Sequence, residues 1–537
     1  MNMGEFGVIN WSILVVYIVA NLGLGAVLSQ KIHSSRDFFL GDRSIPWWAI
    51  GVSVVSTYVS ALTFLGGPAW SYTEGLSVMA IHLNYPLVVV VVVTFFLPFF
   101  YNSGVASIYD YQERRFGSKS RLVLASVFLL SQGATAAAIL YATSLVLEFL
   151  TGLPVTYCIM TVSVIALIYT ALGGIAAVIW TDVIQAGILF VGALVIFYSL
   201  ASGFDAPLAD VLSRAKDAGQ LQAIDTRVDF SRVTTVWSGV IAMTLFHITV
   251  YGANQMMVQR SLTAKSIGDA KKSMLTMGFA AFFIYFLFIL MGVLLNIHYE
   301  GRPFENGNTI ILQFAHELGL PGLMGLIAAA VMAASMSSLD SAFNSMSTVS
   351  VIDFYQRYFR PDATDAQLLG VSRMFTLVWA VIIVVPALMF AEAEGSVLET
   401  LSKVGSYFVG AKLSMFGLGF FSRHTTERGL LVGVVAGFVA VWYAATQTDI
   451  AWPWFAAIGG VVNTAVAWGA SLVLDGRQAD WHPDTVIGQR QYFKREGIAE
   501  KEGGWYRLPG GLDTASKVLL VFFIVTLIAL YAFQSGF

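Results

Sequence analysis

Hydroxyl and carboxylate side chains are concentrated in one apolar part of the chain, residues 334–345, which read Ala-Ser-Met-Ser-Ser-Leu-Asp-Ser-Ala-Phe-Asn-Ser. The apolar run 325–334 leads into them and places them at membrane depth. Polar groups are costly there, and by default they indicate a functional site. Oxygen ligands held away from water suit a small hard cation. Helical spacing puts five positions on one face, namely Ala334, Ser337, Ser338, Ser341 and Ser345.

Composition identifies the chain as a polytopic membrane protein. Of its 537 residues, 57% are hydrophobic and only 12% are charged, whereas soluble domains carry about twice that charged fraction. Cys158 is the only cysteine, which excludes disulfides and cysteine-based metal sites. No basic tract suggests nucleic-acid binding. The first residues lack the basic segment of a cleaved signal peptide, so we expect the first apolar segment to be retained.

Apolar stretches of about 18 residues or more predict an all-α fold with about 14 membrane helices. We expect these helices near 10–29, 46–73, 76–101, 122–150, 154–172, 175–201, 235–258, 273–298, 321–353, 370–391, 396–421, 429–446, 452–474 and 516–533.

The distribution of Lys and Arg predicts the orientation of these helices, because basic residues favour cytoplasmic loops. Alternate connections hold 23 of them and the opposite connections hold 5. Arg260 counts among the cytoplasmic loop residues, whereas Lys403 and Lys412 lie within a span. We therefore predict a multi-pass protein of the plasma (inner) membrane with both termini outside. The longest connections, 202–234 outside and 475–515 in the cytoplasm, are polar and too small for a separate catalytic or signalling domain.

The sequence predicts that two of the membrane helices are interrupted in their backbone hydrogen bonding. The second span has a Ser/Thr-rich middle followed by Gly66, Gly67 and Pro68, and the seventh has Gly252 among polar residues. They are five spans apart, as matching helices of two inverted repeats would be. Interrupted helices at corresponding positions indicate the binding site of a transporter. Close helix packing through glycine is the alternative for either helix alone.

Several motifs together resemble the sodium/solute symporter family, whose members carry sugars, proline, sialic acid, iodide, vitamins and monocarboxylates. The matching segments are 37–43 (Asp-Phe-Phe-Leu-Gly-Asp-Arg), 47–51 (Trp-Trp-Ala-Ile-Gly), 173–185 (Gly-Gly-Ile-Ala-Ala-Val-Ile-Trp-Thr-Asp-Val-Ile-Gln), 254–260 (Asn-Gln-Met-Met-Val-Gln-Arg) and the serine face. The resemblance implies a LeuT-type core of five plus five inverted helices. Five segments would follow: 1–45 (extra helix and loop), 46–201 (first repeat), 202–234 (outer loop), 235–421 (second repeat) and 422–537 (accessory helices).

By the same resemblance, one Na⁺ would bind between the second span and the serine face. Its ligands would be the backbone carbonyls of Ser56, Val59 and Ala334 and the hydroxyls of Ser337 and Ser338, with Asp182 nearby. The alternative for these serines is close helix packing, and Asp182 would then cap a helix.

Asp340 is the less expected residue of the serine face, because some family members bind a second Na⁺ there through serines. Asp340 and Ser341 would bind a second Na⁺ in this chain. Alternatively, Asp340 forms an ion pair with Lys412 or Lys403, since a buried charge needs a partner.

The resemblance also implies a set of solute-binding residues, Ser60, Thr63, His82, His247 and Ser402, with Tyr251 as an aromatic gate. This chain has histidines where galactose carriers have an acid and an amide. It has Ala134 where sialic acid carriers keep an arginine, which argues against sialate. The histidines and Lys403 would favour an anion, whereas a histidine inside a membrane is also a common structural group. The predicted solute is therefore a small polar molecule, neutral or anionic.

These observations predict a secondary transporter that couples inward Na⁺ movement to uptake of a sugar, sugar acid or monocarboxylate by alternating access. A proton-coupled carrier of the same fold is the nearest alternative, because Asp182, Asp340, His82 and His247 can carry protons. A membrane enzyme would need reactive groups clustered at one interface, and the seven histidines are scattered instead. A transporter-like sensor would need a cytoplasmic signalling domain.

Overall fold

The computed structural model describes residues 6–29, 38, 44–59, 62–103, 107–170, 175–391 and 396–536, and almost all of them are helical. The sheet in this part of the chain is one antiparallel hairpin, in which β1 (Lys501–Glu502) pairs with β2 (Trp505–Tyr506).

Twenty-two α-helices lie in the described part of the chain. In chain order they are α1 (Gly7–Ser29), α2 (Trp47–Tyr58), α3 (Gly67–Glu74), α4 (Tyr85–Val91), α5 (Leu97–Ser103), α6 (Asp110–Arg115), α7 (Ser118–Thr151), α8 (Val155–Thr170), α9 (Ile175–Ser202), α10 (Leu208–Asp217), α11 (Met243–Gly252), α12 (Gln255–Ser261), α13 (Ile267–His298), α14 (Ile310–Leu318), α15 (Leu323–Val349), α16 (Asp365–Ile382), α17 (Val384–Phe390), α18 (Val397–Phe421), α19 (Glu427–Gln447), α20 (Phe455–Asp475), α21 (Val486–Arg495) and α22 (Thr514–Gly536).

Tighter and wider helical turns connect some of these helices. Turns with π-type hydrogen bonding span Leu62–Gly66, Val92–Phe96, Ser238–Ala242 and Ser350–Phe359, and 3₁₀ turns span Gly75–His82, Gly307–Thr309 and Trp452–Trp454.

The described helices confirm the polytopic helical class. Eleven continuous helical segments are long and apolar enough to cross a membrane, and two shorter apolar helices span Val155–Ala166 and Ser238–Gly252. One of the eleven, Leu62–Asn102, is 41 residues long and covers parts of two predicted spans. The finer count of 14 spans therefore stays a prediction.

Helix α15 lies at the centre of the packing that positions the polar residues. It contacts α1, α2, α7 and α9, and nearly all of its residues are buried. Small residues allow the close approach of α9, since a Cβ atom built on Gly192 would lie 2.9 Å from the Cβ of Ala330. The serine face of α15 is consequently enclosed by protein rather than by lipid.

Both predicted interruptions are present, and one of them is displaced. Helix α2 ends at Tyr58, and Val59 leaves the helical conformation with φ −80° and ψ 79°. This break lies before the Gly-Gly-Pro sequence, not at it. Pro68 occupies the first turn of α3, where its missing N–H leaves no helical hydrogen bond unmade. The Gly-Gly-Pro sequence therefore lies at the junction of a π turn and α3, inside the helical segment that begins at Leu62, and does not end a helix.

The second interruption separates α11 from α12. Helix α11 ends at Gly252, Asn254 is extended with φ −118° and ψ 121°, and α12 begins at Gln255. The Asn254 side chain accepts a hydrogen bond from the Met256 N–H at 2.9 Å and caps the new helix. The predicted loop 202–234 contains α10, and the loop 475–515 contains α21 and the hairpin.

Candidate sodium and solute site

Asp182 lies at the meeting point of α2, α9 and α15. The Ser337 hydroxyl donates to Asp182 Oδ1 at 2.5 Å, the Ser53 hydroxyl donates to Oδ2, and Thr57 Oγ1 lies 3.4 Å from Oδ2. The carboxylate is fully buried. Asp182 is in the interior of α9, so the alternative that it caps a helix is wrong.

The structure brings Ser56 of α2 next to Ser337 of α15, and Ser338 and Ala334 lie beside them. The Ser338 hydroxyl donates to the Thr57 carbonyl at 2.8 Å and to the Ala334 carbonyl at 3.1 Å. The hydroxyls of Ser56 and Ser337 are 3.3 Å apart. Because α2 ends here, carbonyls of its last turn lose the donors that a continuous helix would supply. Hydroxyl and carbonyl oxygens therefore converge where the sequence predicts the ion.

The donor set fits a hard, weakly polarising cation. A serine hydroxyl that donates one hydrogen bond keeps two lone pairs for an ion. In the part of the chain that the structure describes, no group of three or more His, Cys, Asp and Glu side chains is placed to hold a metal. The oxygens between α2 and α15 are thus suited to Na⁺ as a transported ion.

Arg260 is a member of this polar cluster that the sequence analysis assigned to a loop. It lies on α12 and is completely buried, and its Nη2 is 3.4 Å from Asp182 Oδ2. Its Nε donates to Ser53 Oγ at 2.9 Å, and Nη2 also donates to Ser341 Oγ. The signal for Arg260 was the motif 254–260 itself, which follows a helix break and ends in this arginine.

Asp340 is buried beside the same cluster and interacts electrostatically with Arg260 and with Tyr17 of α1. The two lysines proposed as its partners have other contacts. Lys412 donates to Ser131 Oγ of α7 at 2.5 Å, and Lys403 interacts with Glu399 one turn earlier in α18. The positive charge recorded as acting on Asp340 is that of Arg260.

A second cluster of buried rings contains the predicted solute residues His82, His247 and Tyr251. His247 Nδ1 is 2.7 Å from Asn84 Oδ1, and its Nε2 is 3.0 Å from the Tyr58 hydroxyl. The amide nitrogen of Asn84 donates to two backbone carbonyls at 3.0 Å, so its oxygen must accept from His247 Nδ1–H. His247 Nε2 is consequently an acceptor, and Tyr58 is the donor.

His82 completes this cluster by stacking on Tyr285 with ring centroids 3.7 Å apart, and its Nδ1 is 3.2 Å from the Tyr85 hydroxyl. Two buried polar atoms, His82 Nε2 and the Tyr251 hydroxyl, have no hydrogen-bond partner among the described residues. Buried polar groups are usually satisfied, so each is a candidate contact for a solute.

The remaining predicted solute residues border the ring cluster or lie outside the described part. Thr63 Oγ1 is 3.4 Å from the Tyr58 carbonyl. Ser402 donates to the Leu398 carbonyl at 2.8 Å within α18, one turn before Gly405, which faces Phe246 beside His247. Ser60 lies outside the described residues.

A polar cavity of about 1150 Å³ opens next to α3 and is lined by charged residues of the predicted outer loops. Arg227 and Arg232 reach into it and form ion pairs with Asp225 at 2.6 Å and 3.3 Å. The Arg227 side chain lowers the pKa of Asp225 by donating hydrogen bonds to its carboxylate. These ion pairs connect residues of the outer loop that line the cavity.

A helical bundle with two interrupted helices, a buried oxygen cluster and an adjoining ring cluster defines an ion-coupled secondary transporter. The family model "Sodium:solute symporter family" matches residues 38–437, and the chain belongs to that family. It therefore couples Na⁺ to the uptake of a solute, and it is a transporter rather than an enzyme, as the sequence predicted.

Curated relatives agree with this assignment at low identity. The sodium/sialic acid symporter SiaT of Proteus mirabilis is 28% identical over 478 residues, which cover 86% of this chain and 94% of that protein. The sodium/glucose cotransporter of Vibrio parahaemolyticus is 29% identical over 79% of this chain and 82% of that protein. The human sodium-coupled monocarboxylate transporter 2 is 26% identical over 95% and 81% of the two chains.

Solved structures show the same architecture. A substrate-bound, outward-open Na⁺-coupled sialic acid symporter superposes with a TM-score of 0.80 at 28% identity, covering 88% of this chain and 99% of that one. A transporter of the nucleobase-cation-symport-1 family matches with a TM-score of 0.50 at 14% identity over 81% and 93% of the two chains, which shows the fold alone.

Proposed function

We propose that this symporter binds Na⁺ between the end of α2 and the serine face of α15. Its ligands are the carbonyls of Ser56, Val59 and Ala334 and the hydroxyls of Ser337 and Ser338, with Asp182 behind them. The contact from the Ser338 hydroxyl to the Thr57 carbonyl, 2.8 Å long, is the observation that carries this proposal. It joins the interrupted helix to the helix that supplies the hydroxyls.

Alternating access follows from this position of the ion. Na⁺ ties α15 to the broken α2 and stabilises the outward-facing state, and its loss to the cytoplasm loosens the same contact. An ion shifts a conformational equilibrium only through its different affinity for the two states. The Na⁺ ligands come from two helices, α2 and α15, that move relative to each other. The outward-facing state therefore holds all of the ligands around the ion, and the inward-facing state does not.

The transported solute is a small polar organic molecule that binds among Thr63, His82, His247, Tyr251 and Ser402, with Ser60 adjacent in sequence. A sugar, a sugar acid and a monocarboxylate are the candidate classes, and the named relatives carry sialic acid, glucose and monocarboxylates. Stacked rings and hydroxyl donors suit a hydroxylated solute.

The membrane arrangement has 14 spans in the plasma (inner) membrane, with both termini outside. The 41-residue segment Leu62–Asn102 contributes the second half of one span and the whole of the next. The 23-to-5 distribution of basic residues among the connections supports the orientation.

Coupling to one Na⁺ sets a limit on accumulation. One charge crossing 100 mV releases about 2.3 kcal/mol, and a tenfold sodium gradient adds about 1.4 kcal/mol. The sum of about 3.7 kcal/mol supports roughly 500-fold accumulation of a neutral solute. A second Na⁺ at Asp340 and Ser341 would square that ratio, so the ion count determines the concentrating power.

The test is uptake into proteoliposomes by the Ser338→Ala variant, with radiolabelled glucose, sialic acid and lactate as solutes. We expect sodium-driven uptake of the accepted solute to fall at least tenfold at a fixed pH. Ser335→Ala is the matched control, because Ser335 is buried on the same helix but contacts Thr143 at 2.5 Å instead of α2. Undiminished sodium-driven uptake by Ser338→Ala would contradict the proposed site.

A further inference from the structure

Lys412 is a buried amine that belongs neither to the proposed sodium site nor to the ring cluster. It lies in the interior of α18, and its Nζ donates a hydrogen bond to Ser131 Oγ of α7 at 2.5 Å. The Ser131 hydroxyl donates in turn to the Phe128 carbonyl, so it accepts from Lys412. The amine has two N–H groups when neutral and three when protonated. In either state, at least one N–H has no acceptor among the described residues.

Lys412 also has no acidic partner among the described residues. The residue is only 6% exposed, whereas the other lysine buried in this part of the chain, Lys271, forms an ion pair with Asp513 at 2.7 Å. Ionisable groups inside a membrane protein are costly and are by default functional. An amine without a counter-charge suits an anionic group that arrives with a solute, because that group supplies an acceptor and favours the protonated form.

The position of Lys412 on α18 relates it to the ring cluster. Lys412 follows Gly405 by seven residues, nearly two full turns, so both lie on one face of α18 about 10 Å apart. A Cβ atom built on Gly405 would lie 3.5 Å from the ring of Phe246, the neighbour of His247. Lys412 is nearer to the end of α18 that leads to Arg423, on the predicted cytoplasmic side. It therefore lies on the face that borders the ring cluster, displaced toward the cytoplasm.

The partner of Lys412 also relates it to the second interrupted helix. Ser131 precedes Gln132, whose Oε1 accepts from Asn254 Nδ2 at 3.2 Å in the break between α11 and α12. Tyr251, whose hydroxyl has no partner among the described residues, lies three residues before Asn254. Adjacent residues of α7 thus contact the amine and the break, which places Lys412 close to the interruption that follows Tyr251.

We propose that Lys412 receives the carboxylate of the solute on the cytoplasmic side of the ring cluster, and that the solute is an acid rather than a neutral sugar. The inference deepens the proposed function and rests on the solute site given there. Sugar acids and monocarboxylates share the group that the amine recognises. A carboxylate accepts the N–H groups that Ser131 leaves unused and supplies the opposite charge, whereas a neutral sugar offers hydroxyl acceptors alone.

The test is sodium-driven uptake into proteoliposomes by the wild type, Lys412→Met and Lys412→Arg, with radiolabelled lactate, glucuronate, sialic acid and glucose. We expect the wild type to take up at least one of the three acids, and glucose at least tenfold more slowly. Lys412→Met should lower uptake of that acid at least tenfold, whereas Lys412→Arg keeps a positive charge and should retain most of it. Ser414→Ala is the matched control with unchanged uptake, because Ser414 is buried on the same helix but donates to the Gly460 carbonyl of α20 at 2.8 Å.

Thermal unfolding separates recognition of the solute from a structural role of Lys412. Lys412→Met removes a buried amine with an unused N–H and keeps an unbranched side chain, so the melting temperature should stay unchanged or rise. Loss of acid uptake at an unchanged melting temperature supports the inference. Loss of uptake together with a lower melting temperature indicates a structural role and overturns it. If Lys412→Met does not fold, Lys412→Gln is measured in the same way.

The outcomes distinguish this inference from the proposed function. Undiminished acid uptake by Lys412→Met overturns the inference, and so does a wild type that takes up none of the three acids. Sodium-driven uptake of glucose in that second case leaves the proposed symport intact. Acid uptake that depends on Lys412 but not on Na⁺ supports the inference and contradicts the proposed sodium site.

Discussion

Hydroxyl groups in this protein act as partners of buried charges as well as candidate ion ligands. Ser337 donates to Asp182 at 2.5 Å while its carbonyl accepts from Ser341, also at 2.5 Å. Ser338 turns the other way, toward the Thr57 carbonyl of α2. Ser337 supports the carboxylate of α9 and lies 3.3 Å from Ser56 of α2, whereas Ser338 makes no contact with that carboxylate and bonds to the α2 backbone.

Tyr58 gives the first prediction, because it is the hydrogen-bond donor to His247 Nε2 at 3.0 Å. Tyr58→Phe leaves that buried nitrogen without a donor and should lower the free energy of unfolding by about 1–3 kcal/mol. The change lies in the ring cluster, so the increase in melting temperature caused by NaCl relative to KCl should persist. Thermal unfolding of the purified protein in both salts measures the two effects.

Tyr251→Phe is the matched control for this prediction. Tyr251 is also fully buried, but its hydroxyl has no hydrogen-bond partner among the described residues. Removing it should leave stability unchanged or slightly higher, since no bond is lost. Equal destabilisation by both substitutions would show that the Tyr58–His247 hydrogen bond contributes nothing specific.

The residues of the predicted sodium site could be predicted from the sequence, whereas the burial of Arg260 could not. Helical spacing placed Ser337 and Ser338 on one face, and the resemblance supplied Asp182. Arg260 is followed by Lys265, Lys271 and Lys272. The count of basic residues in loops treats all four in the same way. Its burial depends on how α12 packs between α2 and α15, and a tertiary contact of this kind leaves no periodic pattern in the sequence.

At the scale of elements, the two interrupted helices differ in how the chain resumes. After α2, the chain continues through a π turn from Leu62 to Gly66 before α3 begins. After α11, it continues directly into the capped helix α12. The prediction for the second break, at Gly252, agrees with the structure. The first break was predicted at Gly66, Gly67 and Pro68 but lies earlier, at the end of α2, because Gly67 and Pro68 form the first turn of α3. Local composition alone does not distinguish glycine and proline that begin a helix from those that end one.

Asn254 gives the second prediction, because it caps the helix that carries Arg260. Its Oδ1 accepts from the Met256 N–H at 2.9 Å, and its Nδ2 donates to Gln132 Oε1 of α7 at 3.2 Å. Asn254→Ala should lower the free energy of unfolding by about 1 kcal/mol through loss of the cap, and further because Gln132 Oε1 loses its hydrogen-bond donor. We expect a lower melting temperature together with weaker sodium-driven uptake.

Asn254→Ser serves as the control for that prediction, because a serine oxygen can still cap the helix. It should recover most of the melting temperature, although its hydroxyl reaches Gln132 less well. Equal melting temperatures for Asn254→Ser and Asn254→Ala would contradict the capping role of Asn254.

At the scale of the whole molecule, an ion cluster joins the end of the serine-bearing helix α15 to α6 and α7. Arg121 of α7 is 2.6 Å from Asp353 in the π turn after α15, and it also contacts Asp110 at 2.9 Å and Glu113 at 2.8 Å. Ser107 donates to Asp353 at 2.6 Å. This cluster fixes the far end of α15 independently of any bound ion.

Removing one member of that cluster gives the third prediction. Asp353→Ala should lower the free energy of unfolding by about 3 kcal/mol. This is the low end of the range for breaking a buried ion pair, because Arg121 still contacts Asp110 and Glu113. Glu496→Ala is the control, since its pair with Arg495 is exposed and should contribute less than about 1 kcal/mol. Thermal unfolding of both variants measures the difference, and equal melting temperatures would contradict the role of the cluster.

The outer loop gives the fourth prediction, which concerns pH. Arg227 lowers the pKa of Asp225 below its unfolded value of about 3.9, so the ion pair stabilises the loop above that pH. The stabilisation is lost as the pH falls from about 4 through the folded pKa. A spin label on Val228→Cys, an exposed position, should stay ordered at pH 5 and become mobile only at lower pH. With Asp225→Asn, the label should be mobile at neutral pH, and an ordered label there would contradict the anchoring role.

The burial of two carboxylates with a single guanidinium has an electrical consequence for the turnover cycle. With both carboxylates ionised and Na⁺ at the proposed site, the cluster would be neutral and would cross the field without doing work. Without Na⁺, it would carry one negative charge, which an inside-negative potential drives outward. The voltage across the membrane would then act on the return of the empty carrier, so hyperpolarisation would speed the recycling of the protein rather than the inward step of its cargo.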